Sequence, residues 1–363
     1  MTTERGSRVP LEVLLLIIDI VGEDSSKWAY PTLRACALTC RSWRHRARIH
    51  LFRRVTLTSY RQYRRFENTV FNCPDLGRLV EELHCDLSGV RLEGLKRGDP
   101  LLFGIIDYLR TLRSLTVFGD TTVELGRKFP HFVGQFARCK MLRTFAIREC
   151  TFQDFDDLAR AVWSLPEIST INLEDIYWHV TLGAVDWNDY PTKLPKLTRL
   201  ELNHVLFLDP ALEIMDTGAV EELKITSASP EDASFHGIMR YTRLRKLELV
   251  FDGGEHPWIE AAVSKLTRSP EFEELVLCCN AHGTPREAVS EHLLALNLDS
   301  ILSDTERGAP FPVRTITVDV HTADPTEEHG SWTSMLQGVF SRSHQRGVLR
   351  TTIHEWKPIY WRP

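Results

Sequence analysis

The chain has no acidic residue between Ser25 and Phe66, although acidic residues outnumber basic ones over its 363 positions. Eleven of the 44 lysines and arginines lie in this stretch. The other 321 positions contain the remaining 33 lysines and arginines and all 49 acidic residues, so their formal charge is −16. A basic segment beside an acidic body indicates two modules. The composition, 43% hydrophobic and 26% charged, excludes a disordered or collagen-like chain.

The eight cysteines include no CxxC pair, which argues against a disulfide scaffold or a zinc ribbon. Cys36 and Cys40 have helical spacing, but no further ligands at comparable spacing accompany them. The apolar run from Val13 to Ile18 is far shorter than the roughly 20 residues that a membrane span needs. We therefore expect an intracellular protein, cytoplasmic or nuclear, that does not associate with membranes.

Motifs that carry catalysis are missing as well: the sequence has no GxSxG, no HExxH, no P-loop and no GxGxxG after a strand. The fourteen histidines are dispersed. Asp154, Asp156 and Asp157 cluster where a helix begins, and the helix dipole favours acidic residues there. We expect a protein that is not an enzyme and that has no catalytic residue, cofactor or metal.

Two helices are predicted within the first 60 residues. Pro10 suits the first turn of a helix, and the apolar residues from Val13 to Val21 then recur at helical spacing. A second helix is predicted from Thr32, a suitable N-cap, to Arg44. One side of it is apolar and the other side carries arginines.

This order of residues resembles an F-box over about 45 positions. The family begins with Leu-Pro-x-Glu and an apolar helix, and it ends a later helix with a Val-Cys-x-x-Trp-Arg type of signature. Val9, Thr39 and Phe52 depart from the pattern, and the loop between the helices is longer than usual. The matching residues are Pro10, Glu12, Leu14, Ile17, Leu33, Ala37, Leu38, Cys40, Trp43, Arg44 and Leu51.

The resemblance implies docking onto the Skp adaptor of a cullin–RING ubiquitin ligase through an apolar patch. A generic helical hairpin is the alternative. The residues expected to bind the adaptor are Pro10, Leu11, Glu12, Leu14, Ile17, Leu33, Leu38, Cys40 and Trp43.

The basic segment allows three interpretations. Its side chains can form a solvated face whose stems cover apolar surface, they can dock on an acidic partner, or they can bind nucleic acid. Aromatic residues are sparse among the arginines and no helix-turn-helix spacing is present, so nucleic acid is the least favoured of the three.

A hexad of the form apolar-x-x-apolar-x-apolar recurs from residue 80 onward. The starts are separated by 23 to 41 residues, and most separations lie near the leucine-rich-repeat period. Helical segments are predicted between hexads, over 101–109, 155–165, 233–240, 258–267 and 287–302. The hexads begin at Val80, Leu112, Leu142, Ile168, Leu197, Val220, Leu244, Phe272 and Val313.

The body resembles a degenerate leucine-rich-repeat solenoid over roughly 70–320. Cys150 and Asn280 fit the family's Asn/Cys position, whereas Ile176, Val205 and Ala228 do not. Alternating strands and helices imply a parallel sheet with crossovers. A closed (β/α) barrel is the alternative fold, but its strands are apolar on both faces, and these hexads alternate.

The polar positions of the hexads predict a charged face for a protein target, and aromatic residues at 174–195 add anchors. We expect a capping role for a tail that contains Trp332, Trp356, Tyr360 and Trp361. The predicted target-binding residues are Arg143, Arg199, Glu201, Lys224, Lys246, Glu248, Trp178 and Trp187.

Taken together, the sequence predicts an α/β protein with three parts. These are an F-box-like helical domain over 1–60, a leucine-rich-repeat-like solenoid with a parallel sheet and outer helices over 61–330, and a C-terminal cap and tail over 331–363. The predicted function is that of a substrate receptor in a Skp–cullin–F-box ubiquitin ligase, which needs no homo-oligomer. The alternatives are an F-box scaffold outside ubiquitination and a (β/α) barrel enzyme.

Overall fold

The computed structural model describes residues 9–24, 28–88, 104–120, 124–125, 128–178, 194–205, 211–212, 218–226, 235–252, 256–266, 271–303, 313–322 and 325–355. The chain forms two compact units, each described here by itself. The first comprises Met1–Phe118 and Gly134–Leu142, and the second comprises Gly119–Val133 and Arg143–Pro363. Among the described residues, no helix has both the length and the apolar character that crossing a membrane requires.

The first unit begins with three helices that pack on one another. The prediction of one helix from Thr32 to Arg44 is wrong, because Cys40 adopts an extended conformation (φ −153°, ψ 172°) and separates two helices. Thr32 is not an N-cap either, since its hydroxyl donates to the Trp28 carbonyl at 2.7 Å. The helices are α1 (Leu11–Glu23), α2 (Ala29–Thr39) and α3 (Arg41–Arg53).

Three parallel strands follow in the first unit, and two of them coincide with the hexads that begin at Val80 and Leu112. The sequence did not predict the first strand or helix α4, whose buried side chains include Tyr63, Phe66 and Val70. The elements are β1 (Arg54–Leu57), α4 (Tyr60–Asn72), α5 (Pro74–Gly77), β2 (Glu82–Asp86), β3 (Ser114–Phe118) and the 3₁₀ turns Ile106–Tyr108 and Gln135–Arg138.

The second unit contains nine strands among its described residues. From β5 to β12, each strand pairs in parallel with the next strand along the chain, and β4 pairs with β5. The strands are β4 (Glu124–Leu125), β5 (Thr144–Phe152), β6 (Thr170–Trp178), β7 (Arg199–Val205), β8 (Glu222–Thr226), β9 (Lys246–Asp252), β10 (Glu274–Asn280), β11 (Thr315–Thr322) and β12 (Leu349–Glu355).

Helices and 3₁₀ turns lie between these strands. The helices predicted over 155–165 and 258–267 are confirmed, whereas the one over 287–302 is divided at Asn297, which has a positive φ of 50°. The elements are α6 (Lys128–Gly134), α7 (Phe155–Trp163), the 3₁₀ turn His236–Arg240, α8 (Pro257–Leu266), α9 (Arg286–Ala295), α10 (Leu298–Ser303), α11 (Pro325–Val339) and α12 (Ser341–Gln345).

The apolar hexad positions form the core of the second unit. In β7, Leu200 and Leu202 are buried while Arg199, Glu201 and Asn203 lie on the other side of the strand and retain exposure. Burying a leucine contributes roughly 1.5–3 kcal/mol, so each added repeat stabilises its neighbours. We call the side of the sheet opposite the buried leucines the open face. It carries the half-exposed residues of each strand, including Asn172, Glu201, Lys224 and Glu248.

The strand order excludes the barrel alternative. Strands β5 to β12 follow one another in chain order, and β12 lies at one end of that order. A barrel needs its terminal strands to pair, whereas here the described β12 pairs with β11. The second unit is therefore an irregular leucine-rich-repeat-like solenoid with a parallel sheet.

Candidate interaction surfaces

Helix α1 has apolar side chains on its inner side and on an outward side, and Glu12, Asp19 and Glu23 form a narrow polar stripe between them. Its inner side chains, Leu15, Ile18 and Val21, pack in a core with Leu33 and Ala47 of α2 and α3. A second group, which we call the apolar helix face, points outward and is 44–60% exposed. Large apolar side chains grouped on one exposed side of a helix are typical of an interaction surface, so this face is a candidate for covering by a partner. The apolar helix face consists of Val13, Leu16, Ile17 and Ile20.

An ion pair fixes α1 against α3. Arg46 donates two hydrogen bonds of 2.6 Å to the Asp19 carboxylate, and His50 Nε2 lies 2.8 Å from Asp19 Oδ1. The Arg46 guanidinium and, more weakly, His50 lower the pKa of Asp19 to about 2, against the opposing effect of desolvation. Asp19 therefore stays ionised at every physiological pH and holds the two helices in register.

Gly22 allows the close approach of these helices. A Cβ atom at this position would overlap the imidazole ring of His50, which is itself half-buried. Glycine lowers helix stability in a helix interior, so its presence in the last turn of α1 is explained by this contact.

The predicted adaptor-binding residues divide into two groups. Pro10, Leu11, Glu12, Ile17, Leu38 and Cys40 are exposed, and Leu38 is 82% exposed. Leu33 is only 4% exposed and Trp43 packs against the same core, so these two shape the module from inside. Leu14 is half-buried on α1.

Sequence reasoning missed Val13, Leu16 and Ile20 as surface residues. The signal was available, because the run from Val13 to Val21 contains Asp19 as its one polar residue and therefore has more apolar side chains than one buried stripe needs. Helical spacing predicted a stripe that mixes the buried Ile18 with the exposed Val13 and Ile17, and it omitted Leu15, which packs in the core.

Part of the basic segment is neutralised within the first unit. Arg53 and Arg54 pair with Glu81 and Glu82 at 3.1 and 2.9 Å. Other arginines are exposed and make no ion pair with any described residue, which leaves positive charge on α2, α3 and α4. These are Arg34, Arg41, Arg48, Arg61 and Arg65.

In the second unit, the open face of β7 to β10 carries charges of alternating sign in two rows. Register places Arg199, Glu222, Lys246 and Glu274 side by side in the first row. The second row is Glu201, Lys224 and Glu248. We call these seven residues the charge checkerboard.

The charges of the checkerboard pair with one another. Arg199 lies 2.7 Å from Glu201 and 3.4 Å from Glu222. Lys224 pairs with Glu248 at 2.5 Å, and Lys246 lies 3.6 Å from Glu274. Opposite charges facing each other across strands stabilise their pairing, and a shifted register would bring like charges together. These residues therefore define how the repeats align.

The remaining predicted target residues lie elsewhere. Arg143 is exposed and lies 3.9 Å from Glu167. Trp178 ends β6 with 3% exposure and packs on Phe155, with ring centroids 5.0 Å apart. Its side chain is thus inaccessible, and it takes no part in the binding proposals below. Trp187 lies outside the described residues.

Three consecutive strands share an unusual backbone position. Glu149, Asp175 and His204 have φ values of 53°, 52° and 47°, and each precedes the residue at the family's Asn/Cys position. Those next residues, Cys150, Ile176 and Val205, are buried. Apolar packing thus replaces the asparagine ladder in this part of the sheet.

Two of the cysteines are held in the protonated form by burial. Burial raises the pKa of Cys139 and of Cys278 to about 12, so both thiols stay protonated. The described residues contain no group of three or more His, Cys, Asp or Glu suited to hold a metal ion.

No protein family matches the sequence, and no curated protein matches it. Several solved structures are similar in part. TLR13 in complex with ssRNA13 is 16% identical, with a TM-score of 0.38, 78% coverage of this chain and 34% of TLR13. The chain thus spans about a third of that protein.

Two bacterial proteins are similar over larger shares of their length. A Bacteroides fragilis protein is 14% identical, with a TM-score of 0.40 and coverage of 77% and 76% of the two chains. A leucine-rich-repeat protein of Leptospira interrogans is 11% identical, with a TM-score of 0.31 and coverage of 84% and 82%. All these TM-scores are below 0.5, so the solenoid assignment depends on the strand order of this chain.

Proposed function

We propose that the chain is a substrate receptor of a Skp–cullin–F-box ubiquitin ligase. In this proposal the helices α1 to α3 bind the Skp adaptor and the open face binds a protein target. The chain itself performs no chemistry and instead raises the effective concentration of the target near the ligase.

The observation that carries the proposal is the apolar helix face. Four large apolar side chains on one exposed side of α1 exceed what a scattered surface pattern would give. Trp28, Tyr30 and Leu38 of the same three-helix module are also exposed. A partner with an apolar groove would cover them, which is how amphipathic helices are commonly recognised.

The free arginines favour a groove with an acidic rim. Arg41 and Arg48 lie on α3, and Arg34 lies on α2 between the exposed Tyr30 and Leu38. Complementary charge speeds association and helps to exclude wrong partners. The proposal therefore predicts that adaptor binding weakens as salt is raised.

A purified Skp adaptor provides the direct test. We expect the double variant Leu16→Ser, Ile20→Ser to lose at least about tenfold in affinity, because two buried side chains each contribute roughly 1.5–3 kcal/mol. Phe71→Ser is the matched control, since Phe71 is 68% exposed but lies on α4. Calorimetry measures the affinity, and circular dichroism verifies that each variant folds.

Full-affinity binding by the double variant would contradict the docking assignment, as would equal loss in the control. The alternative function, a scaffold outside ubiquitination, has the same docking face. It is distinguished by the cullin: a receptor recruits the cullin through the adaptor, whereas a scaffold of this kind binds the adaptor without it.

A further inference from the structure

Strand β12, the last described strand of the second unit, has one free edge. It pairs in parallel with β11, and within the described part of the chain no strand lies on its other side. None of its residues is proline or has a positive φ, so it lacks the proline and the bulge that often block such an edge. Its threonines and isoleucine favour an extended backbone. An edge of this kind is a template for pairing with another chain.

The backbone groups of β12 point alternately to its two sides. Ile316 donates to the carbonyl of Val348 at 2.9 Å, which fixes the phase of hydrogen bonding between β11 and β12. In a parallel pair the N–H and C=O of every second residue point to the same neighbour, so the residues of even number in β12 bond to β11. The amides and carbonyls of Leu349, Thr351 and Ile353 therefore point to the free edge.

The inner side of β12 is covered less completely than that of the strand before it. In β11 the inner side chains are fully buried, whereas the positions of β12 in register with them are only half-buried. In a solenoid each repeat buries its inner side chains against its neighbours, so one further strand would complete this layer. The half-buried residues are Leu349, Thr351 and Ile353.

The open face of β12 carries a positive charge without a counterpart. Arg350 is exposed and makes no ion pair with any described residue, and its register partner on β11 is the neutral Thr317. In the checkerboard, by contrast, Lys224 has Glu201 and Glu248 beside it on the two neighbouring strands. An acidic residue on an added strand would give Arg350 the cross-strand partner that it lacks.

We propose that β12 binds an extended segment of the protein target, which joins the sheet as one more parallel strand. Main-chain hydrogen bonds to the free edge supply the affinity. Apolar side chains at alternate positions of the segment cover the inner side, and an acidic side chain between them pairs with Arg350. The inference rests on the proposed function only in assigning the segment to a ligase target. It extends the open face by one strand.

A second copy of the chain fits this edge less well. Two copies related by a two-fold axis perpendicular to the sheet pair their β12 strands antiparallel, and residues directly opposite each other then lie on the same face. Arg350 can therefore face Arg350, Thr352 or His354 of the copy, but not Glu355, which lies on the inner side. Because no register gives Arg350 an acidic partner, the charges favour a different chain.

Hydrogen exchange of the full chain, followed for single amides by NMR, tests the free edge. The probe is acetyl-Val-Glu-Val-Thr-Val-Thr-Lys-amide, whose first residue is placed opposite Leu349. It is N-methylated at the third and fifth residues, whose nitrogens point away from β12. The control peptide is N-methylated at the second and fourth residues instead, which blocks the nitrogens that face β12. We expect the amides of Leu349, Thr351 and Ile353 to exchange rapidly in the free chain and to slow by about tenfold or more with the probe alone.

Variants at neighbouring positions separate pairing from folding. Thr351→Pro removes an N–H that points to the free edge, where proline is tolerated, so we expect an unchanged fold and at least about fivefold weaker probe binding. Thr351→Val is the matched control, because it keeps the N–H and should bind the probe at least as well. Circular dichroism verifies that both variants fold.

A charge exchange tests the predicted register. Arg350→Glu should weaken binding of the probe by about fivefold, because two carboxylates then face each other across the strands. A second peptide, with lysine in place of the glutamate, should bind this variant about as well as the probe binds the parent protein. Equal binding of both peptides to both proteins would contradict the register.

The inference is overturned if Leu349, Thr351 and Ile353 are already protected in the free full chain, because the chain itself then covers the edge. It is also overturned if the two methylated peptides act alike, or if Thr351→Pro binds the probe as well as the parent protein does. Self-association of the chain that Thr351→Pro abolishes, measured by sedimentation, would assign the edge to a second copy instead. No adaptor is present in these measurements, so failure of adaptor docking and failure of strand addition are separate results.

Discussion

Two surfaces among the described residues, one on α1 and one on the sheet of the second unit, differ in what they leave unsatisfied. On α1, exposed apolar side chains of the apolar helix face have no cover. On the sheet of the second unit, the checkerboard charges are matched within the chain. The difference teaches that a row of exposed charges indicates a binding site only where those charges are not already paired with one another.

The largest expected change in stability distinguishes the inner side of the three-helix module from its outer side. Leu33→Ala should cost about 2–5 kcal/mol of unfolding free energy, because it opens a cavity beside Ile18 and Ala47. Leu16→Ala, on the apolar helix face, should stay within about 0.5 kcal/mol. Urea titration, followed by hydrogen exchange of α2 and α3, measures the unfolding free energy of both variants. Equal losses would mean that the outer side is part of a core.

Gly22→Ala should give the next largest effect. Replacing a helical glycine by alanine usually stabilises by up to about 1 kcal/mol. Here the new methyl group overlaps the His50 ring, so we expect a loss of about 1–3 kcal/mol instead. Thermal unfolding of Gly22→Ala, His50→Ala, compared with His50→Ala alone, provides the control. Stabilisation by the single variant would refute the contact.

A charge reversal tests the checkerboard. Lys224→Glu places a carboxylate between Glu201 and Glu248, and we expect a loss of about 1 kcal/mol that shrinks at high salt. The exchange variant Lys224→Glu, Glu248→Lys should recover part of the loss in a double-mutant cycle measured by urea unfolding. Absence of any coupling would show that the paired charges do not stabilise the register.

The smallest expected effect concerns the ion pair of the helical module. Asp19→Asn should cost about 1 kcal/mol at neutral pH, since hydrogen bonds to a charged group are lost. The folded pKa of Asp19, about 2, lies below its ordinary value of 3.8. Its contribution is therefore present above pH 3.8 and lost as the pH falls through 2. Stability curves of both proteins should converge at that acidity; a constant difference would assign the effect to packing.

The repeats of the second unit could be predicted from the sequence because the alternation of apolar and polar residues that marks each strand is contained in six consecutive positions. Leu200 and Leu202 are separated by one charged residue, and that alternation identifies a strand with one buried side. Strands β1 and β12 were missed, because Arg54–Leu57 and Leu349–Glu355 lack the full hexad. They are specified by pairing with β2 and β11, which a local pattern does not contain.

The functional surfaces were predicted less well. Leu33 carried the F-box resemblance, yet it is a core residue, while Leu16 and Ile20 are exposed. Exposure depends on which side of α1 contacts α3, and Gly22 and His50 decide that contact across 28 positions of sequence.

The alternation of charge along the checkerboard has a period of two strands rather than one. Removing β8 alone would set Arg199 beside Lys246 and Glu201 beside Glu248. Removing β8 and β9 together would set Arg199 beside Glu274, which preserves attraction. The charge pattern therefore favours lengthening or shortening this part of the sheet by pairs of repeats over changes by a single repeat.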